Sequence, residues 1–446
     1  MSPTRRSFIK YASLAAGGST LALRPFGALN AMAQATTGYK ALVCIFLYGG
    51  NDANNMLVPF DAQGYANYAK VRRSLAIPQK TLLQLGQLPT FAIHPSLTGL
   101  QTIFDGRAGA FVANVGTLNI PTTRAQYNAG SNLPDNLFSH ADQQIEWQNA
   151  AQSAATQTGW AGRVSDLLNS NYNPTATIPM VTSVAGDTVF CNGQTSTPVS
   201  VTPGNTSGAT CGETAGECAA QSEIAQSMLT FDSGLSLVQA DNAITSNAYL
   251  YSKVLSNALA SVSPLQTLFP SNNQLGSQLM QIAQIIQARA ALGVQRQIFF
   301  AGIGSFDTHA NQLSQQSPLL SQLSSAMSSF YQATGEIGLQ NNVTTFTMSD
   351  FSRTLQPNTN GGSDHGWGAH HIVMGGAVQG GRMYGTFPSL TLGGPDDSGS
   401  NGRWVPSTGI VQYASTLASW FGVSPSQMAT IFPNIAGFPT ANLGFV

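Results

Sequence analysis

The fold class is decided by residues 39–55, which read YKALVCIFLYGGNDANN. Apart from Lys40, the first ten of these residues form a continuous apolar run with β-branched and aromatic side chains. Such a run predicts a strand that is buried on both faces, which is typical of a parallel sheet. It leads directly into Gly49, Gly50 and Asp52. Ligands in open α/β sheets lie at the carboxyl ends of strands, so Asp52 is a candidate ligand, although an Asx-rich turn explains the same residues equally well.

Other apolar runs extend the sheet. Further buried strands are predicted at 108–115, 297–303 and 342–348, and shorter ones at 372–378 and 383–384. Leu, Ile and Ala recur at helical spacing through 222–291, with a break at 261–273, and further helices are predicted at about 314–339, 411–421 and 424–431. The pattern predicts an α/β fold in which helices cover a mostly parallel sheet.

The second informative stretch is residues 347–376, TMSDFSRTLQPNTNGGSDHGWGAHHIVMGG. Only six histidines occur in the 446 residues and only 8% of residues are charged, yet three of those histidines lie here. Asp and His side chains are the usual ligands of zinc-like and manganese-like ions. The stretch therefore predicts a metal or catalytic site, with a solvated turn capped by Asp364 as the alternative. Its candidate residues are Asp350, Arg353, Asp364, His365 and His371.

Two other segments carry candidate site residues. Asp307 and His309 follow the strand at 297–303, and residues two apart in extended backbone can hold one ion. Ser139 begins a helix at SHADQQIEW, where it either caps the helix with Asp142 or acts as a nucleophile favoured by the helix dipole. Loops at strand ends or helix starts thus carry Asp52, His140, Asp307, His309, Asp350, Asp364, His365 and His371, and this agreement favours one shared site. By contrast, we interpret His94 as a structural, hydrogen-bonded histidine.

The N-terminus carries an export signal. Residues 4–10, TRRSFIK, form a twin-arginine pattern, and small residues at 31–33 suit a signal peptidase. Residues 1–35 are therefore predicted to be a signal peptide, and the rest a periplasmic or secreted protein without an integral membrane segment. A net charge of −1 provides no long-range field to attract nucleic acid.

Residues 36–446 are predicted to form a single domain with a loop-rich insertion around 186–216. Four cysteines in an oxidising compartment suggest a disulfide. Cys44 lies in a predicted core strand and is expected to be a free thiol. One disulfide is predicted among Cys191, Cys211 and Cys218, and the sequence does not choose the pair.

Several motifs together carry a family resemblance: FLYGGNDANN, FAIHPSL, LFSHADQQIEW, GWAGR, FDTHANQ, MSDFSRT, NGGSDHGWGAHH and VMGGAVQGGRMYG. With the twin-arginine start, they resemble the bacterial exported family known as domain of unknown function 1501, within the alkaline phosphatase and sulfatase superfamily. The resemblance spans nearly the whole mature chain, and the motifs at 307–385 are its most specific part.

The resemblance implies a doubly wound α/β core with a two-metal site. Asp52, Asp364 and His365 would then bind one ion, Asp307 and a histidine would bind a second, and Ser139 would be the nucleophile. The chain departs from this pattern because His309 is two residues from Asp307, where four is usual, and Asn311 stands at the four-apart position. Likewise, His371 follows His365 by only six residues, whereas the final metal histidine normally lies far downstream. The expected cofactor is therefore one or two divalent ions, with zinc, calcium, magnesium and manganese all open.

Two functions remain open from the sequence. The first is an exported metal-dependent hydrolase of a phosphate, sulfate or related ester, with a small-molecule or glycan substrate. Its catalytic residues would be Ser139, His140 and Arg353, where Arg353 binds a substrate oxyanion unless Arg124, Arg163 or Arg382 does so. The alternative is a non-catalytic exported binding or assembly protein that contacts another exported protein and keeps one structural metal.

Overall fold

The long apolar runs become the centre of a large mixed sheet. The computed structural model describes residues 38–150, 155–204 and 234–446, together with a few isolated positions between these ranges. Within this part of the chain the strands are β1 (Lys40–Leu47), β2 (Leu57–Pro59), β3 (Leu83–Gln84), β4 (Phe91–Ile93), β5 (Gly109–Gly116), β6 (Val181–Ser183), β7 (Val199–Ser200), β8 (Arg296–Ile303), β9 (Val343–Ser349), β10 (Ala369–Met374), β11 (Met383–Tyr384) and β12 (Thr408–Gly409).

The main sheet has the strand order β11-β5-β10-β9-β1-β8-β6-β7, and β12 pairs with β5. β1 lies at its centre, parallel to both β8 and β9, with Val43 level with Phe299 on one side and Thr345 on the other. Only β10 runs against its neighbours, antiparallel to β5 and β9. A second sheet of three short strands has the order β2-β4-β3. The predicted mostly parallel sheet is confirmed.

Helices alternate with strands along much of the described chain. They are α1 (Ala53–Met56), α2 (Ala62–Arg72), α3 (Thr98–Asp105), α4 (Arg124–Asn128), α5 (His140–Asn149), α6 (Trp160–Tyr172), α7 (Ser236–Ala260), α8 (Gln274–Gln287), α9 (Arg289–Leu292), α10 (Gln312–Glu336), α11 (Ile410–Phe421) and α12 (Met428–Ile431). α8 and α10 pack against each other, and α3 packs on α10.

Every side chain of the central strand β1 except that of Lys40 is buried, as expected of a strand in a sheet that helices cover. Leu42, Cys44 and Phe46 join a core cluster that includes residues of α5, α6 and α11. Successive strand residues point to opposite faces, so Val43 and Ile45 are buried on the other side of the sheet. Both faces are therefore apolar, as the unbroken run of hydrophobic residues predicted.

The strand near the second informative stretch begins earlier than predicted. The sequence placed it at 372–378, whereas β10 spans Ala369–Met374 and ends before Gly375 and Gly376. Gly375 has φ +153°, and a Cβ there would lie 2.4 Å from the Val343 carbonyl oxygen. His370 and His371 consequently lie inside a buried strand and not in the loop that precedes it.

Two cysteines fall in the described part of the chain, and both are buried free thiols, Cys44 and Cys191. Cys44 is free as predicted. The structure does not place Cys191 in the predicted disulfide, because its side chain packs in the core cluster. Cys211 and Cys218 lie outside the described residues, as do the predicted signal peptide and the end of the predicted insertion.

The chain from Lys40 to Val446 forms one compact unit. Across the described residues, the helices are too short or too polar to cross a bilayer.

Candidate metal centre

Three strand ends and one helix start meet at the candidate site. β1 leads into Gly49, β8 leads into Asp307, and β9 leads into Asp350, while α5 begins at His140. These loops lie close together because Gly49 has φ +108° and lacks a side chain. A Cβ at Gly49 would lie 2.5 Å from the amide nitrogen of Asp307, so no other residue fits without moving a loop.

Three imidazole rings surround one carboxylate oxygen. The Nε2 atoms of His140, His309 and His365 lie 3.5, 3.1 and 3.6 Å from Oδ1 of Asp307. The Nε2 atoms of His309 and His365 are 2.9 Å apart. The side chains of Asp307 and His309 are 46% and 43% exposed, so solvent reaches the cluster from their side.

The opposite nitrogen of each ring has a fixed partner. Nδ1 of His140 lies 2.7 Å from Oδ2 of Asp350, and Nδ1 of His365 lies 2.7 Å from the carbonyl oxygen of Phe138. Nδ1 of His309 lies 3.3 Å from Oδ1 of Asp364. A carbonyl or carboxylate oxygen accepts a hydrogen bond, so the two 2.7 Å contacts favour hydrogen on Nδ1 of His140 and His365, which leaves a lone pair on Nε2 of each. His309 has a carboxylate oxygen near both of its ring nitrogens.

Asp350 acts only as an acceptor. The amide N–H of Gly49 donates to Oδ1 at 3.0 Å, and the side-chain amide of Gln144 donates to Oδ2 at 2.8 Å. The hydrogen bond from His140 to this buried carboxylate raises the pKa of His140, against the opposing effect of burial. Burial lowers the pKa of His365. The sequence did not identify Gln144, although its position one helical turn after His140 puts both on the same helix face.

Arg353 lies in the site but is fully buried. Its guanidinium donates to the carbonyl oxygens of Gly49, Gly50 and Ser363 and to the carboxylate of Asp307. Burial alone would raise the pKa of Asp307, but the hydrogen bond and charge of Arg353 outweigh burial and lower it. The predicted role in binding a substrate oxyanion does not fit these contacts, because they commit the guanidinium to the protein itself.

Ser139 caps helix α5. Its hydroxyl oxygen accepts from the amide N–H of Asp142 at 3.5 Å, the outer limit of a hydrogen bond. The side chain is partly exposed, and the next residue, His140, belongs to the cluster. Both roles that the sequence proposed for Ser139 remain compatible with this position.

The structure does not bring two of the predicted ligands into the cluster. Asp52 is buried in an ion pair with Arg72 and also accepts from the side chain of Gln312. His371 lies within β10, where its ring packs against Trp147 and Tyr413. Burial lowers the pKa of His371 to about 3, so its ring is neutral. His371 is the third residue of the buried strand β10, so its side chain packs in the core and not in the cluster.

His94 matches its predicted structural role. It is buried, and its Nδ1 accepts from the amide N–H of Ser96 at 3.1 Å. Burial lowers its pKa to about 4, so the ring is neutral at physiological pH.

The cluster fits a bound cation. The Nε2 atoms of His309 and His365 lie 2.9 Å apart, a separation that either a shared hydrogen or a cation can bridge. Nε2 of His140 is buried and has no hydrogen-bond partner. Imidazole nitrogens and a carboxylate are the ligands of catalytic zinc, and a second hydrogen bond on each ring is the usual support of such ligands. His140, Asp307 and His365 offer ligand atoms that all lie within 4.8 Å of one another and could hold the ion, and His309 lies beside them as a further candidate.

Comparison with solved structures gives distant similarities. The chain is similar to Ps i-CgsB in complex with k-i-k-neocarrahexaose, at 10% identity and a TM-score of 0.35, over 87% of this chain and 74% of that one. The lipoteichoic acid synthase LtaP from Listeria monocytogenes gives the same identity, coverage and TM-score. A mutant of alkaline phosphatase PafA aligns at 10% identity and a TM-score of 0.28, over 71% of this chain and 63% of that one. Similarity at this level does not bear on the activity of the chain.

Comparison with curated proteins gives no match. A family model described as "Protein of unknown function (DUF1501)" matches residues 39–396, which include every residue of the histidine cluster. The chain therefore belongs to the DUF1501 family.

Proposed function

We propose that the protein is an exported metal-dependent hydrolase of a phosphate, sulfate or related ester. The observation that carries the proposal is the convergence of three Nε2 atoms on Oδ1 of Asp307, while each Nδ1 is held by an oxygen acceptor. Nε2 of His140 is buried without a hydrogen-bond partner, and a cation among these side chains would give it one.

The ligand chemistry favours zinc or a similar transition metal. Imidazole nitrogens suit Zn²⁺, Co²⁺ or Ni²⁺, whereas Ca²⁺ and Mg²⁺ take mainly oxygen ligands. Of the sequence-predicted ligands that remain near the cluster, Asp350 and Asp364 contact His140 and His309 and so orient the rings. The proposed ligands are therefore His140, His309, His365 and Asp307.

Ser139 is the proposed nucleophile of the reaction. A bound cation would supply Lewis-acid stabilisation of negative charge on the ester. Ser139, adjacent to His140 at the start of α5, would lose its proton to solvent and attack the phosphorus or sulfur atom. The bond to the ester oxygen would break, and that oxygen would take a proton from solvent and leave as the alcohol. Water would then cleave the ester on Ser139 and regenerate the hydroxyl.

One observation favours the alternative of a binding protein that only retains a metal. The guanidinium of Arg353 is committed to three carbonyl oxygens and to Asp307, so it does not offer a free anion-binding group. In that case the ion would hold the loops in place for contact with another exported protein.

The experiment that tests the proposal is metal analysis of purified protein followed by assays on aryl phosphates and aryl sulfates. We expect a bound transition metal and turnover that is lost in His309→Ala. Thr359→Ala, at an exposed position of the loop that carries Asp364, is the control and should keep both. Bound metal without turnover of any ester would favour the binding protein, and absence of metal after incubation with Zn²⁺ would refute the site.

Export is a separate part of the proposal, which rests on the twin-arginine pattern. The intact mass of protein recovered outside the cytoplasm should show cleavage near Ala33 or Ala35. Recovery of exported protein that still carries Arg5 and Arg6 would contradict it.

A further inference from the structure

We propose that Arg72 takes the place of a second cation, and that Asp52 is a positioning residue which acts on the metal centre through Gln312 and Ser363. The inference rests on the proposed metal centre. It concerns the number of ions and the residues that hold the loop of Asp364 and His365.

The charge of Asp52 is already balanced. Its carboxylate forms an ion pair with Arg72, and both side chains are fully buried. The same carboxylate accepts from the amide N–H of Asn54 at 3.1 Å and from the side chain of Gln312. A divalent ion at this position would bring two further positive charges beside a buried guanidinium, at a high electrostatic cost.

Arg72 is itself held in place by oxygen acceptors. Its Nη1 donates to the carbonyl oxygens of Thr354 and Leu355 at 2.8 and 2.9 Å, and its Nε donates to Oδ1 of Asn55 at 2.9 Å. Leaving the pocket would break these hydrogen bonds together with the ion pair. The guanidinium is therefore a permanent counter-ion and does not give way to a metal.

A chain of hydrogen bonds leads from Asp52 to the metal centre. Gln312 donates to Asp52, and the hydroxyl of Ser363 donates to Oε1 of Gln312. Ser363 is fully buried and directly precedes Asp364 and His365. Its carbonyl oxygen also accepts from Arg353, whose guanidinium contacts Asp307. The relay thus fixes the loop that brings His365 to the cluster and Asp364 to His309.

The same helix provides a matched control. Gln312 and Gln316 lie one turn apart in α10, and both are buried. Gln316 donates to the backbone carbonyl oxygen of Asp52 at 2.8 Å. Gln312→Leu removes the link between the Asp52 carboxylate and Ser363, whereas Gln316→Leu removes a buried amide of the same size and leaves that link in place.

The test has two measurements on the folded chain. Titration with Co²⁺, followed by its visible spectrum, gives the number of ions and their affinity. Hydrogen exchange of the metal-free protein gives the protection of residues 356–366. We expect one Co²⁺ per chain, an affinity about 10- to 100-fold weaker in Gln312→Leu, and faster exchange in that segment. Gln316→Leu should match the unmodified protein in both measurements.

Each outcome decides the inference. Two ions per chain, or loss of an ion in Asp52→Asn with an otherwise unchanged loop, would overturn it. So would equal exchange of residues 356–366 in the Gln312→Leu and Gln316→Leu variants. Failure of the unmodified protein to bind Co²⁺ would refute the proposed metal centre, and the exchange measurement would still decide whether Gln312 positions the loop.

Discussion

Nδ1 of His140 donates to Oδ2 of Asp350 at 2.7 Å, and this hydrogen bond joins the start of helix α5 to the end of strand β9. Asp350 is fully buried, so its carboxylate needs several donors, and it has them in His140, Gln144 and the backbone of Gly49. The orientation of the His140 ring is therefore set by the core of the protein and not by solvent.

The first prediction concerns this pair. Asp350→Asn should weaken metal affinity about 10- to 100-fold, because the His140 ring loses its charged acceptor. Affinity is measured by Co²⁺ titration well below the melting temperature of the variant. Asp166→Asn is the control, since Asp166, on helix α6 outside the cluster, also accepts from backbone amides, those of Gln194 and Ser196. Equal affinities in the Asp350→Asn variant and the unmodified protein would show that His140 is not a ligand.

The second prediction separates the two roles of Ser139. As a nucleophile, its replacement in Ser139→Ala should reduce ester turnover by several orders of magnitude and leave metal content unchanged. As a cap alone, its loss should cost about 1 kcal/mol or less and spare turnover, since the capping contact is 3.5 Å long.

The control for this variant is Thr123→Ala. Thr123 caps α4 in a reciprocal arrangement with Gln126, so its replacement removes a helix cap outside the cluster. Full turnover in Ser139→Ala would show that Ser139 is not the nucleophile, and it would not affect the proposal of a metal centre.

The third prediction is a pH dependence of stability. Burial raises the pKa of Glu146 to about 8, and hydrogen bonds from Gln143 and the backbone of Asp135 oppose this only in part. The folded protein therefore keeps a proton that the unfolded chain releases above about pH 4.3, so stability falls as pH rises, by up to about 1.4 kcal/mol per unit. The free energy of unfolding of Glu146→Gln, minus that of the unmodified protein, should increase from pH 5 to pH 8.

Urea unfolding at several pH values measures this difference. Glu336→Gln is the control, because Glu336 is exposed and hydrogen bonds lower its pKa, which keeps it ionised over the whole range. A difference for Glu146→Gln that does not change with pH would show that Glu146 is ionised in the folded protein.

The fourth prediction concerns the thiols. Cys44 and Cys191 are both fully buried, and burial raises the pKa of each. Alkylation of the native protein should leave both cysteines unlabelled over hours, because the reactive thiolate is absent. After denaturation without reductant, both should be labelled in peptide maps. A peptide that links Cys44 to Cys191, or either of them to another cysteine, would contradict the structure.

The sequence predicted the longer strands of the main sheet because they are buried on both faces and, in β1 and β8, consist largely of apolar residues. It also placed Asp307, His309, Asp350, Asp364 and His365 at strand ends, and the structure brings these residues together. It did not predict the partner of each imidazole. His365, for example, contacts the backbone carbonyl oxygen of Phe138. Every residue has such an oxygen, so only the tertiary packing decides which one lies near the ring.

Asp52 shows the limit of reasoning from strand ends. Its position after β1 matches that of a ligand, but Arg72, twenty residues later on α2, meets its carboxylate only in the folded chain. Nothing in the spacing of the two residues distinguishes a buried counter-ion from an exposed arginine. His371 was predicted to be a metal ligand for a different reason. The glycines around it indicated a loop, so the strand was predicted to begin at residue 372, whereas β10 begins at Ala369.

The solvent-exposed side of the cluster bears on how the folded protein would acquire its ion. The side chains of Asp307, His309 and Asp364 are each nearly half exposed. An ion at the proposed centre would therefore exchange with the surrounding solution while the sheet stays intact. For a protein exported as proposed, the supply of metal outside the cytoplasm, and not inside it, would then determine which ion it carries.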